Sequence, residues 1–132
     1  MMHRLVLFLT LASAAMVGCA SDSAAPTRAY TVDLQMVDNE DRYSYVAVGE
    51  VPTFEAGDQV TFVAENTGTL NHDLQVVDPA GTAIATAAAV APGATLTLTV
   101  DLDEPGIYQL NCLVDNHLTQ HHMQTLIEVV DT

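Results

Sequence analysis

GIYQLNCLVDNHLTQHHMQTLIEVV, residues 106–130, reads as a strand, a polar loop and a second strand in one stretch. Ile107 to Asn111 is a short β-rich run that follows the turn residues Glu104-Pro105-Gly106. Met123 to Val130 closes the stretch with an alternation of period two, which puts Thr125, Ile127 and Val129 on one face. Between these runs, the segment from Cys112 to His122 forms a loop. Cys112, His117, His121 and His122, with Met123 at the far end, gather soft and borderline metal donors in one place on the chain.

The same period runs back toward the N-terminus. Leu96, Leu98, Val100 and Leu102 alternate with threonines and acids, the clearest strand of all. Val60, Phe62 and Ala64 share one face of a run from Gln59 to Ala64, which Ala56-Gly57-Asp58 opens and Asn66-Thr67-Gly68 breaks. Tyr30, Val32, Leu34 and Met36 alternate in the first run, Asp38-Asn39-Glu40-Asp41 makes a polar turn, and Tyr43 to Val48 is a second β-rich run. Gly49 to Ala56 is a connection carrying Pro52. Asp73 to Val77 is a short strand ending at Asp78-Pro79-Ala80-Gly81, while the alanine-rich Thr82 to Val90 is open between strand, loop and short helix. No amphipathic helix, internal repeat or second domain is visible. Seven or eight short strands in 132 residues predict one all-β domain, a Greek-key β-sandwich, over 29–132.

The donors decide the chemistry. If the strand that starts after His72 begins at the same end of the sandwich as the Cys112 loop, His72 completes a cluster with Cys112, His117 and Met123. Two imidazoles, one thiolate and a weak thioether suit a type 1 copper centre: sulfur satisfies Cu(I), imidazole satisfies Cu(II), and a stiff β-frame resists rearrangement between them. A zinc site would not ordinarily recruit a thioether. Taken singly, His72 would be a surface turn residue, Met123 a core residue, and His121 and His122 exposed loop residues. Their coincidence with Cys112 is what reverses those readings.

In these residues the chain resembles the cupredoxin family, the small blue copper proteins of the plastocyanin and azurin type. The similarity covers roughly residues 51–130 and rests on several motifs in order. They are Ala56-Gly57-Asp58-Gln59-Val60-Thr61-Phe62, Asn66-Thr67-Gly68 with Asn71-His72-Asp73, Ala91-Pro92-Gly93, and Gly106-Ile107-Tyr108 leading to Cys112-x4-His117 and Met123. The resemblance implies one copper ion, with His72 and His117 as imidazole ligands, Cys112 as thiolate and Met123 as axial thioether. It also implies that Asp73 hydrogen-bonds the ligand loop, and that electrons pass through the solvent edge of His117. One departure stands out: family members with Cys-x4-His place Met four or five residues after that His, whereas here the fifth is His122 and the sixth Met123. The family has inward apolar residues four and six positions after the axial Met. Counting from Met123 gives Ile127 and Val129, but counting from His122 gives Leu126 and Glu128, which would bury a carboxylate. Met123 is therefore preferred, with His122 as the alternative axial ligand.

Residues 1–18 read as a signal peptide. His3 and Arg4 precede an uncharged apolar run from Leu5 to Val17, too short to span a bilayer comfortably. Met16-Val17-Gly18-Cys19 resembles the lipobox of bacterial lipoproteins, which implies cleavage before Cys19 and a lipid on its sulfur. Residues 19–28, small and polar with Pro26, read as a flexible tether. With Cys19 lipidated, Cys112 is the only thiol left, so no internal disulfide can form. A lone thiol in an oxidising compartment needs burial or a metal.

The chain carries 17 acidic residues against 3 basic ones, for a formal charge of −14. That balance argues against nucleic acid or anionic lipid as partners; it suits a basic-surfaced redox protein and, equally, plain solubility or a salty habitat. The leading expectation is a monomeric, membrane-tethered one-electron carrier of the bacterial cell envelope, periplasmic or on the outer face of a membrane. The alternative is copper storage, resistance or delivery, for which exposed His121 and His122 would serve hand-off. An enzyme is not expected. A multicopper oxidase needs His on both sides of the type 1 Cys, whereas Asn111 and Leu113 flank Cys112, and a dinuclear site needs a second bridging thiolate.

Overall fold

The computed structural model describes residues 28–132. The expected signal peptide, Cys19 and the expected tether up to Thr27 lie outside the described residues. Nine strands follow one another: β1 (Ala29–Asn39), β2 (Arg42–Ala47), β3 (Phe54–Glu55), β4 (Asp58–Asn66), β5 (His72–Val77), β6 (Ala83–Val90), β7 (Thr95–Leu102), β8 (Gly106–Asn111) and β9 (Gln124–Val130). They form two sheets, β2-β1-β4-β7 and β3-β9-β8-β5-β6. The chain changes sheet between β2 and β3, β3 and β4, β4 and β5, β6 and β7, and β7 and β8, so neighbours in space are distant in sequence, as in a Greek key.

Inward residues follow the period-two pattern. Val32, Leu34 and Met36 of β1, Val60, Phe62 and Ala64 of β4, and Leu96, Val100 and Leu102 of β7 pack against Leu74, Val76, Tyr108, Leu110 and Val129 of the other sheet. Burying side chains of this size contributes about 1.5–3 kcal/mol each relative to exposure. Tyr108 also closes a corner: its hydroxyl donates to the Glu104 carbonyl (2.9 Å) and accepts from the Glu104 N–H (3.1 Å). The Ala56-Gly57-Asp58 turn needs its glycine, whose φ is +95°.

Several boundaries differ from the sequence expectation, and one segment left open there is a strand. The connection from Gly49 to Ala56 contains β3, a two-residue strand that pairs in parallel with Val129 and Val130. Two residues are too few to show a period, but Phe54 is buried there against Tyr30, ring centroids 5.6 Å apart. The alanine-rich segment, left open above, is the edge strand β6, half exposed along its length. β9 begins at Gln124, so Met123 belongs to the loop. β1 runs on to Asn39, which confines the turn to Glu40-Asp41 and makes Asp38 a strand residue opposite Tyr43.

Candidate metal centre

One end of the sandwich collects the donors. His72 is the first residue of β5, Cys112 follows β8 directly, and Met123 immediately precedes β9. β8 lies between β5 and β9, so the three positions emerge side by side. His117 reaches back from the intervening loop, whose turns are held by His117 N–H to Val114 O (3.0 Å) and Gln120 N–H to Asn116 O (2.9 Å). Asn66, fully buried, fixes the approach to His72. Its Nδ2 donates to Leu70 O (2.7 Å) and Val90 O (3.0 Å), while its Oδ1 accepts from Gly68 N–H (3.0 Å).

Cys112 Sγ lies 3.8 Å from His72 Nδ1 and 3.5 Å from His117 Nδ1. The three donor atoms fall within 4.8 Å of one another, and all three residues are buried. Such spacing suits ligands of one ion with bonds of about 2.0–2.3 Å. Both imidazoles present Nδ1, and their rings are 4.9 Å apart at 53°. Met123 is wholly buried in the same core as Cys112. Its backbone ties the ligands together, its N–H donating to His117 O (2.9 Å) and its carbonyl accepting from Cys112 N–H (3.1 Å).

His122 stands apart from this cluster. It is exposed and has left-handed backbone, φ +52°, which turns the chain between loop and strand. Beyond it Ile127 is half-buried and Val129 buried, while Leu126 and Glu128 face solvent, the parity counted from Met123. Asp73 reaches the ligand loop. Its Oδ1 accepts the Leu113 N–H (2.7 Å), and its backbone carbonyl accepts the Tyr45 hydroxyl (2.6 Å).

Burial pushes the Cys112 thiol up to about 11, so a metal entering the site displaces its proton. Burial, aided by the neighbouring His72, pushes His117 below the ordinary imidazole value and keeps it in the neutral, ligating form. The donor set fits copper best, because it combines a thiolate and two imidazoles with a thioether-bearing residue packed alongside.

Two functional neighbours escaped the sequence reading. Asp38, read there as a turn residue, places its Oδ2 2.9 Å from His72 Nε2. Burial works against its ionisation, but hydrogen bonds from the Leu70 backbone, His72 and Thr69 outweigh it and hold the carboxyl below the usual range. Parity was the signal that marks it, since Val32, Leu34, Met36 and Asp38 occupy successive inward positions.

Tyr43 is the second. Its ring meets His117 edge-on at 4.8 Å and stacks on His121 at 4.1 Å, 8° from parallel. The His117 edge through which electrons are expected to pass is narrow: the residue is 3 % exposed. A cavity of about 390 Å³ opens beside it between Tyr43, Leu70, Val114 and Asn116.

No family model matches the sequence. No curated protein matches it either. Solved structures do. An auracyanin from the photosynthetic bacterium Roseiflexus castenholzii is 19% identical with a TM-score of 0.58, over 79% of this chain and 98% of that one. Auracyanin A, a "blue" copper protein from Chloroflexus aurantiacus, is 17% identical with a TM-score of 0.55, over 76% of this chain and 98% of the other. The fold is the cupredoxin fold. A copper nitrite reductase from Nitrosomonas europaea shares it at 21% identity and a TM-score of 0.58, over 80% of this chain but only 42% of that enzyme. In the present cupredoxin fold, the described residues form a single sandwich with one His-Cys-His cluster at its end.

Proposed function

We propose that this domain holds one copper ion between His72, Cys112, His117 and Met123 and carries single electrons. The observation that carries the reading is the buried convergence of one thiol and two Nδ1 atoms, 3.5 and 3.8 Å from the sulfur. Bound copper would supply a one-electron Cu(I)/Cu(II) couple. The protein's part is to hold the donors still. His72 is fixed by Asp38, Cys112 and Met123 by their backbone pairing, and the start of the loop by Asp73. A frame that does not rearrange suits fast electron transfer, so we read the domain as a carrier and not an enzyme. The flanks of Cys112, Asn111 and Leu113, support this.

The storage or delivery alternative rested on exposed His121 and His122. His121 is instead half-buried and stacked on Tyr43, which favours the carrier. Placement in the cell envelope, by a lipid on Cys19 and a short tether, belongs to the same reading, as does a basic redox partner held by a weak, salt-sensitive contact. Intact-mass analysis of the N-terminal peptide tests the lipid.

Titration of the metal-free protein with Cu(II), followed by visible absorption, tests the centre. One equivalent should develop an intense thiolate-to-copper band; copper uptake without that band would leave storage or delivery as the reading. The axial position is tested separately. Met123→Leu should keep the band and raise the reduction potential, because a wholly apolar axial side chain disfavours the more highly charged Cu(II). His122→Ala should change neither. The opposite pattern would assign the axial role to His122.

A further inference from the structure

We infer that Asp38 is a positioning residue for the centre: it holds His72 by the ring nitrogen facing away from the cluster and biases the site toward the more highly charged ion. The inference rests on the copper reading above. His72 turns Nδ1 toward Cys112 Sγ, 3.8 Å away, and Nε2 toward Asp38 Oδ2, 2.9 Å away. The two side chains are 0 % and 4 % exposed. One ring therefore bridges the sulfur and the carboxylate with no water between. With Nε2 donating its hydrogen to Asp38, Nδ1 is left with the lone pair a metal requires.

The carboxylate is seated, not merely nearby. Thr69 N–H donates to both oxygens (2.9 and 2.7 Å), Thr69 Oγ1 donates to Oδ1 (2.9 Å), and Leu70 N–H donates to Oδ2 (2.8 Å). Every partner around Asp38 is a donor, an arrangement that suits an acceptor-only carboxylate. Room for it exists because residue 68 is glycine: a Cβ there would run into Asp38 Oδ2. The segment that leads to His72 is thus folded around a carboxylate supplied by the opposite sheet, at the inward position of β1 beyond Met36.

A fixed negative charge one imidazole away from the ion has two effects. It strengthens Nδ1 as a donor, as carboxylates beyond metal-bound histidines do. It also favours the ion with one more positive charge, since the attraction scales with the product of charges and is weakly screened where both groups are buried. Both effects favour Cu(II) over Cu(I), so Asp38 holds the reduction potential down.

The test combines two variants with one measurement on the metal-free protein. Asp38→Asn should keep the thiolate-to-copper band and shift the ratio of Cu(I) to Cu(II) affinity about tenfold toward Cu(I), a rise of about 59 mV for a one-electron couple. Gly68→Ala keeps the charge but displaces it, and should move the potential the same way by less. Nitrogen-15 NMR of the metal-free parent should show His72 as the Nε2–H tautomer. An intact band with an unmoved potential in Asp38→Asn would overturn the inference. If that variant does not fold, Gly68→Ala and the tautomer decide, and an Nδ1–H tautomer in the parent overturns it. A parent that takes up no copper sinks the copper reading instead, while the tautomer still decides whether Asp38 positions His72.

Discussion

Cys112→Ser abolishes the intense visible band and weakens copper binding by a hundredfold or more. The band requires a sulfur anion bound to the metal, and Cys112 is the free cysteine among the described residues. A serine hydroxyl at the same buried position does not ionise at accessible pH. Four-ligand structural zinc sites hold their metal by about 10–16 kcal/mol, and on that scale one ligand is worth about 3 kcal/mol, or some hundredfold in affinity. The fold should survive, because serine is no larger than cysteine and its hydroxyl can pair with either neighbouring Nδ1. Visible titration and far-ultraviolet circular dichroism on the same sample separate the two effects. A variant that is folded and still blue would remove Cys112 from the centre and the carrier reading with it.

Tyr108→Ala lowers stability by about 4 kcal/mol, within the range of about 3–5 kcal/mol for removing a large buried ring. The side chain is 1 % exposed, so its loss leaves a cavity between the sheets that no solvent-facing group can fill. Tyr108→Phe keeps the ring and removes only the hydroxyl. It should cost about 0.5–1.5 kcal/mol, because the Glu104 N–H and carbonyl both lose their partner but belong to an exposed residue that water can reach. Domains of this kind are stable by about 5–15 kcal/mol, so the alanine variant sits close to unfolding at moderate temperature. Urea titrations read the difference as a fall in midpoint, with the phenylalanine variant in between. Equal midpoints for the two variants would mean that the hydroxyl, and not the ring, holds the corner.

Strands with one dry and one wet face were legible from residue order alone. β4 and β7 alternate almost without interruption, and their inward residues are the ones the structure buries. β6 was ambiguous because alanine is small enough for either face, and the strand sits half exposed at a sheet edge. β3 has no period to read; its pairing with β9 joins residues more than seventy positions apart. The cluster itself was legible because thiol, imidazole and thioether are chemically distinctive and three of them share one loop.

Its surroundings were not legible in the same way. Asp38 and Tyr43 are ordinary residues in a hairpin, and nothing local shows that this hairpin lies across the mouth of the opposite sheet. Parity would have flagged Asp38 as an inward acid. The cover over His117 depends on Tyr43 meeting His121 in space, which no spacing encodes.

That crossing of the two sheets bears on how such a centre is inherited. Cys112, His117 and Met123 travel together in one short segment, so recombination or grafting can move them as a block between related sandwiches. Asp38, Tyr43 and the glycine that makes room for the carboxylate reside elsewhere and stay behind. A transplanted loop would bring three of the four proposed ligands, while the recipient's own histidine and hairpin would complete the site and adjust its potential and shielding. Selection thus has partly separate dials: the loop together with His72 would govern whether metal is held, and a distant hairpin would adjust the potential that the ligands set.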